Sequence, residues 1–175
     1  MSATRAAAAA LATAALAGCA SGGPPEDGRE PPAAAAARLA GTVERVIDGD
    51  TLIARIDGRR VRVRLLGVDA PDTAGYGSAE CYGPEAADAA RGLLPRGARL
   101  ALRTDPTQGR EDRFGRLLAE VTVAAAARTV NEALVGGGSA EVFRGDGRGR
   151  LQPRLRALER RAREGGLGLW GSCGR

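Results

Sequence analysis

The 175-residue chain contains no histidine and no lysine: its 26 basic residues are all arginine. Without imidazole there is no Ser-His-Asp triad, no His-ligated zinc and no imidazole general base. Acid-base chemistry falls to carboxylates, arginine or metal-bound water. Without lysine there is no P-loop lysine and no Schiff base. The three cysteines, Cys19, Cys81 and Cys173, show no C-x-x-C spacing, which argues against a zinc finger. Only five residues are aromatic. What is abundant is positive charge, +5 net. A basic surface favours anionic partners such as nucleic acid or lipid headgroups, although lysine-free, alanine-rich usage is also what a GC-rich genome produces. The length sets one folded domain as the expectation.

The N-terminus reads as an address. Met1–Arg5 carries one positive charge, and Ala6–Ala17 is apolar but too short for a bilayer core that needs roughly 20 residues. Leu16-Ala17-Gly18-Cys19 resembles the lipobox of bacterial lipoprotein signals, in which the cysteine becomes the lipidated first residue. An ordinary secretory signal cleaved at another small residue is the alternative, and both export the chain. Residues 1–19 are therefore expected to be a signal segment, with Cys19 as a membrane anchor. Residues 20–40, rich in Pro, Gly and Ala, read as a disordered tether. With Cys19 lipidated, Cys81 and Cys173 form an even pair in an oxidising compartment and are expected to bond; two free thiols are the alternative.

From Gly41 to Cys173 the pattern is that of a folded domain. Stretches at 42–47, 51–56 and 61–66 are rich in β-formers. In the third, Val61, Val63 and Leu65 alternate with Arg62, Arg64 and Leu66, as when one sheet face is buried. Asp57-Gly58 is a strong hairpin signal, and a three-stranded antiparallel meander follows. Pro84 opens a helix to about Leu94. Strands are expected near Arg99–Arg103 and Leu117–Val123, and a short one at Ala140–Phe143. A helix from Thr129 to Val135 stops at Gly136-Gly137-Gly138, and a last one buries Leu151, Leu155, Leu158 and Ala162. The fold class is α+β, mainly β: five strands curled into a small barrel and packed with helices.

Five blocks stand in register: Val46-Ile47-Asp48-Gly49-Asp50-Thr51, Arg64 to Thr73 (RLLGVDAPDT), Tyr82-Gly83-Pro84-Glu85-Ala86, Asp112-Arg113-Phe114-Gly115-Arg116, and Val130 to Val135 (VNEALV). Together they resemble the staphylococcal nuclease (thermonuclease) family over nearly all of residues 41–173. The resemblance implies a five-stranded OB-fold barrel with three helices and a calcium-dependent phosphodiesterase of DNA and RNA.

Hydrolysing a phosphodiester needs a water nucleophile and positive charge against the phosphoryl oxygens, for which a divalent ion and arginine are the means left to this chain. Asp50 and Asp69 offer the hard oxygens that Ca²⁺ prefers; the resemblance groups them around the ion with the carbonyl of Ala70. Asp48 is read as turn-forming. Arg64 and Arg116 are the expected phosphate clamps, since a guanidinium grips two oxygens and keeps its charge; by resemblance Arg116 also acts near the leaving oxygen. Asp72 stands where the family pattern carries a water-orienting glutamate, one methylene longer. Phe114 can stack on a base or ribose. Arg144 and Arg148, with Arg150, are expected to contact phosphate where the family prototype has paired tyrosines. The arginines of the last helix, at 154, 156, 160, 161 and 163, read as a solvated face. Asn131 and Glu132 are expected to cap and stabilise.

The leading expectation is an exported, lipid-anchored, monomeric nuclease that binds DNA and RNA without sequence preference. A non-catalytic nucleic-acid-binding module on the same fold and a structural envelope lipoprotein are the rivals.

Overall fold

The computed structural model describes residues 36–73, 79–145 and 148–174. The signal segment with Cys19 and the first part of the tether lie outside the described residues. In chain order the elements are β1 (Arg38–Val46), β2 (Thr51–Ile56), β3 (Arg59–Leu65), β4 (Val68–Asp69), α1 (Gly83–Leu93), β5 (Arg99–Arg103), β6 (Leu117–Val123), α2 (Val130–Gly136), β7 (Glu141–Val142), α3 (Gln152–Glu164) and α4 (Leu169–Ser172).

Asp57 and Gly58 both take positive φ, 49° and 75°, so β2 turns tightly into β3 with Ile56 opposite Arg59. The remaining strands complete a closed barrel in the order β1-β2-β3-β6-β5, with β5 pairing back onto β1. All its ladders are antiparallel except β3 with β6. This is the expected five-stranded OB-type barrel with packed helices. Inside, Val63 and Leu65 meet Leu52, Leu102, Ala119 and Val121, all at most 1% exposed.

One boundary is corrected. The barrel begins at Arg38 rather than Gly41: Arg38, Leu39 and Ala40 pair with Arg103, Leu102 and Ala101, and Leu39 packs on the core. The Ala-rich run looks like low-complexity tether, but a neighbouring edge of β5 offers its backbone partners, which composition does not report.

Three local devices set the position of the site. Asn131 of α2 is fully buried: its Oδ1 accepts the Val121 N–H at 2.9 Å, and its Nδ2 donates to the Leu66 carbonyl at 2.9 Å, tying the end of β3 to β6. Thr129 and Glu132 form a reciprocal capping box at the start of α2. At the start of α1, a Cβ on Gly83 would stand 2.2 Å from the Asp72 carbonyl oxygen, so only glycine lets the loop after β4 lie so close to this helix. The expected disulfide is present: Cys81 is bonded to Cys173, with Cα atoms 5.9 Å apart.

Candidate active site

The turn between β1 and β2 begins the site. Asp48 Oδ1 accepts the Asp50 N–H at 3.0 Å, the local bond that makes aspartate a turn residue, so Asp48 is a turn former. A Cβ on Gly49 would stand 2.5 Å from the Ala70 Cβ, so the bare glycine lets the turn meet the loop after β4. Asp50 is thereby buried, 7% exposed, and its oxygens are occupied: Oδ2 accepts the Ala70 N–H and Oδ1 the Thr51 hydroxyl, each at 2.9 Å.

Thr51 lies opposite Arg64 in the β2–β3 ladder, which brings the Arg64 guanidinium to Asp50. Arg64 forms ion pairs with the Asp50 carboxylate and with Asp69 Oδ1, the latter at 2.9 Å. Two aspartates nineteen positions apart thus converge on one guanidinium. Burial pulls the Arg64 pKa below its ordinary value, and the like charge of Arg116 adds to this. The charge and hydrogen bond of Asp69, and the charge of Asp48, act the other way.

Arg116 is presented by the turn before β6. Gly115 takes φ 69°, and Asp112 organises the turn: its Oδ1 accepts the N–H groups of Phe114 (2.9 Å) and Arg116 (3.0 Å), while its Oδ2 accepts Arg116 Nε at 2.6 Å. Burial pushes the Asp112 carboxyl up. Hydrogen bonds from the Arg116 backbone, the Arg116 side chain and the Phe114 backbone outweigh it and hold the carboxyl below the usual range. Asp112 therefore aims Arg116 as a fixed anion. Its role was missed in sequence, although an acid two and four residues before the N–H groups it receives is the signature of such a turn. The Arg113 and Arg116 guanidinium groups flank the Phe114 ring, 4.7 and 5.3 Å from its centroid.

Arg64, Arg116 and Phe114 line a single cavity of about 450 Å³, together with Asp112, Leu118 and Phe143. Phe143 was not foreseen, and a hydrophobic residue at the end of a short strand gives no signal of exposure. Asp69 and Ala70 face a smaller cleft of about 190 Å³ with Pro71, Glu80 and Glu141.

The remaining expected residues are placed less uniformly. Asp72 is exposed and lines neither of these cavities; its backbone is clamped by Glu80, whose N–H donates to the Asp72 carbonyl (3.0 Å) and whose Oε2 accepts the Asp72 N–H (3.1 Å). Glu80 and Glu141, not Asp72, are the carboxylates that share a cleft with Asp69. Arg144 lines a neighbouring cleft rather than the 450 Å³ cavity. Arg148 lines neither, and its carbonyl accepts Gln108 Nε2 at 2.6 Å. Arg150 is engaged with Glu120 and through its N–H with Asp105.

Two guanidinium groups facing one cavity, each oriented by carboxylate, can grip a tetrahedral phosphoryl group whose charge grows in the transition state. The comparisons with known proteins agree. Residues 62–172 match the family described as staphylococcal nuclease homologue. Protein ParB of Escherichia coli is 36% identical over 77% of this chain and 73% of its own length. An uncharacterized endonuclease of Escherichia coli is 32% identical over 77% of this chain and 78% of its own. The thermonuclease of Staphylococcus hyicus is 39% identical over 45% of this chain and 46% of its own. With that match spanning β3 to α4 and the paired arginines facing one cavity, the chain belongs to the staphylococcal nuclease family and is a nuclease.

Proposed function

We propose that this nuclease hydrolyses phosphodiester bonds of DNA and RNA without sequence preference, depends on calcium, and works outside the cytoplasm. The observation that carries the reading is the convergence of Asp50 and Asp69 on Arg64, which shares a cavity with Arg116.

The donor set fits a hard cation. Asp69 offers carboxylate oxygen on a side chain 56% exposed, and Asp50, whose oxygens already accept the Ala70 N–H and the Thr51 hydroxyl, would coordinate through its remaining lone pairs. Among the described residues no group of three acidic side chains forms a ready cage. The ligands would be these two carboxylates, the Ala70 carbonyl and water. Bound calcium would supply Lewis-acid stabilisation of phosphoryl charge. Arg64 and Arg116 hold the phosphoryl oxygens, and Asp112 keeps Arg116 aimed at them. Phe114, exposed on the cavity wall, stacks on the base or ribose.

The test is a calcium titration of DNA and RNA hydrolysis. The rate is expected to follow calcium and to fall at least about 100-fold under chelator. Degradation that chelator does not slow would contradict the calcium assignment, and binding without degradation would favour the non-catalytic module.

A carboxylate must orient the attacking water; Asp72 and Glu80 stand eight residues apart on the loop after β4, and Glu141, also in the cleft, is engaged with Arg144. Family pattern favours Asp72; the shared cleft with Asp69 favours Glu80. We assign the water to Glu80, with Asp72 held by it. A misplaced or missing base costs on the order of 100-fold, so Glu80→Gln is expected to lower kcat by about that factor and Asp72→Asn by less than about tenfold. The reverse order would return the role to Asp72.

Export rests on the Leu16–Cys19 pattern and is supported by the Cys81–Cys173 disulfide, a bond that persists in oxidising compartments. Lipid on Cys19 would hold the domain at a membrane; Cys19→Ser is expected to release it to the soluble fraction on cell fractionation. Retention of that variant in membranes would refute the anchor.

A further inference from the structure

The chain has two phenylalanines, and both are exposed on the same cavity: Phe114 at 62% and Phe143 at 48%. Phe143 is held there. Its N–H donates to the Gly67 carbonyl at 3.0 Å, and its carbonyl accepts Gln152 Nε2 at 3.3 Å. A Cβ on Gly145 would stand 2.5 Å from the ring, so the ring rests against bare backbone. An apolar ring left in water on a backbone pinned at both its N–H and its carbonyl is a platform rather than a packing residue.

Beyond Phe143 lies a second cleft of about 380 Å³, lined by Val142, Phe143, Arg144, Arg156, Glu159 and Arg163. Arg156, Glu159 and Arg163 stand on one face of α3 at spacings of three and four. Three guanidinium groups here meet one carboxylate, and that carboxylate is engaged: Glu159 Oε1 accepts the Val142 N–H at 2.9 Å and lies 3.8 Å from Arg163. Arg144 is 3.8 Å from Glu141, and Arg156 has no ion-pair partner among the described residues. Arg163 is also seated over the Trp170 ring, 3.9 Å from its centroid. Nearby, Arg154 is paired with Glu132 and Arg150 with Glu120, while Arg160 and Arg161 form no ion pair among the described residues. Of the charge that α3 keeps, Arg156 and Arg163 stand in the cleft that adjoins Phe143.

A basic groove continuous with aromatic faces is the arrangement that binds single-stranded nucleic acid, phosphates to the cations and bases to the rings. We infer that a nucleic-acid strand held in the catalytic cavity runs over Phe143 into the Arg144–Arg156–Arg163 cleft, which binds phosphates beyond the scissile one. This rests on the nuclease reading and extends it: the enzyme grips a strand longer than the bond it cuts.

The test measures binding, not cleavage, on the full chain in chelator, so that loss of the calcium mechanism would leave it readable. Fluorescein-labelled oligothymidylates of three and twelve nucleotides are titrated by anisotropy. The wild type is expected to prefer the longer probe. Arg144→Gln with Arg156→Gln, neither of which packs in the core, is expected to bind the twelve-mer roughly tenfold more weakly, with a salt slope shallower by about 1.4, two single-strand phosphate contacts. Phe143→Ala is expected to weaken the same probe by a similar factor. Arg91→Gln, a charge change on α1 away from both cavities, is expected to match the wild type. Equal affinity of the wild type for the two probes, or a double variant with unchanged twelve-mer affinity and slope, would overturn the inference.

Discussion

Arg116→Ala is expected to lower the single-turnover rate of oligonucleotide cleavage by about 10³- to 10⁵-fold, the range seen when an arginine that faces a phosphoryl transition state is removed. The fold should scarcely notice. The Arg116 side chain is 22% exposed, and the Asp112 carboxylate left behind keeps two backbone N–H bonds and a route to water. The stability change is expected to stay within about 1 kcal/mol. Arg116→Lys retains the charge but loses both the fork and the Nε–H that Asp112 accepts, so its rate is expected to fall by at least about 100-fold. Stopped-flow cleavage together with urea unfolding separates the two effects. An Arg116→Ala enzyme within threefold of the wild type would remove Arg116 from the mechanism.

Opening the Cys81–Cys173 bond is expected to cost about 4–5 kcal/mol, because the link closes a loop with a sequence separation of 92. For a domain whose total stability is of order 10 kcal/mol, that is a large fraction. The bond lies where a small core needs it: Ala162, Leu169 and Trp170 form a cluster separate from the barrel, with Tyr82 and Cys173 packed against it. It also holds the residue after Glu80, the clamp on Asp72. Cys81→Ser with Cys173→Ser should therefore lower both the urea midpoint and, at temperatures where the variant remains folded, kcat. A stability loss under about 1 kcal/mol would show that α4 frays without the barrel. An unchanged kcat would show that Glu80 keeps its hold on Asp72 without the link.

Much of the fold was legible from local rules. The Asp57-Gly58 hairpin was readable because two successive positive φ angles demand such residues. The buried row Val63 and Leu65 was readable because a strand repeats every two residues, and α2 because the run Gly136-Gly137-Gly138 stops a helix. The short ladder of β4 with β7 was not, since two residues carry no period. Nor was the pairing of Arg38–Ala40 with β5, whose partners are more than sixty positions away.

The site divides the same way. Residue type alone determined that phosphate chemistry in this chain must run on carboxylates, arginine and a bound metal ion, because histidine and lysine are absent, and block spacing determined which arginines and aspartates were the candidates. Tertiary structure decided their relations: that Arg64 bridges Asp50 and Asp69, that Asp112 aims Arg116, that Glu80 rather than Asp72 faces the cleft, and that both phenylalanines stand in water on one cavity. Among many similar arginines, it also decided that 150 and 154 are neutralised by glutamates while 156 keeps its charge. The physical reason is range. Propensity and periodicity act over a turn or a strand, whereas the partner that neutralises a charge or leaves a ring exposed arrives from across the barrel.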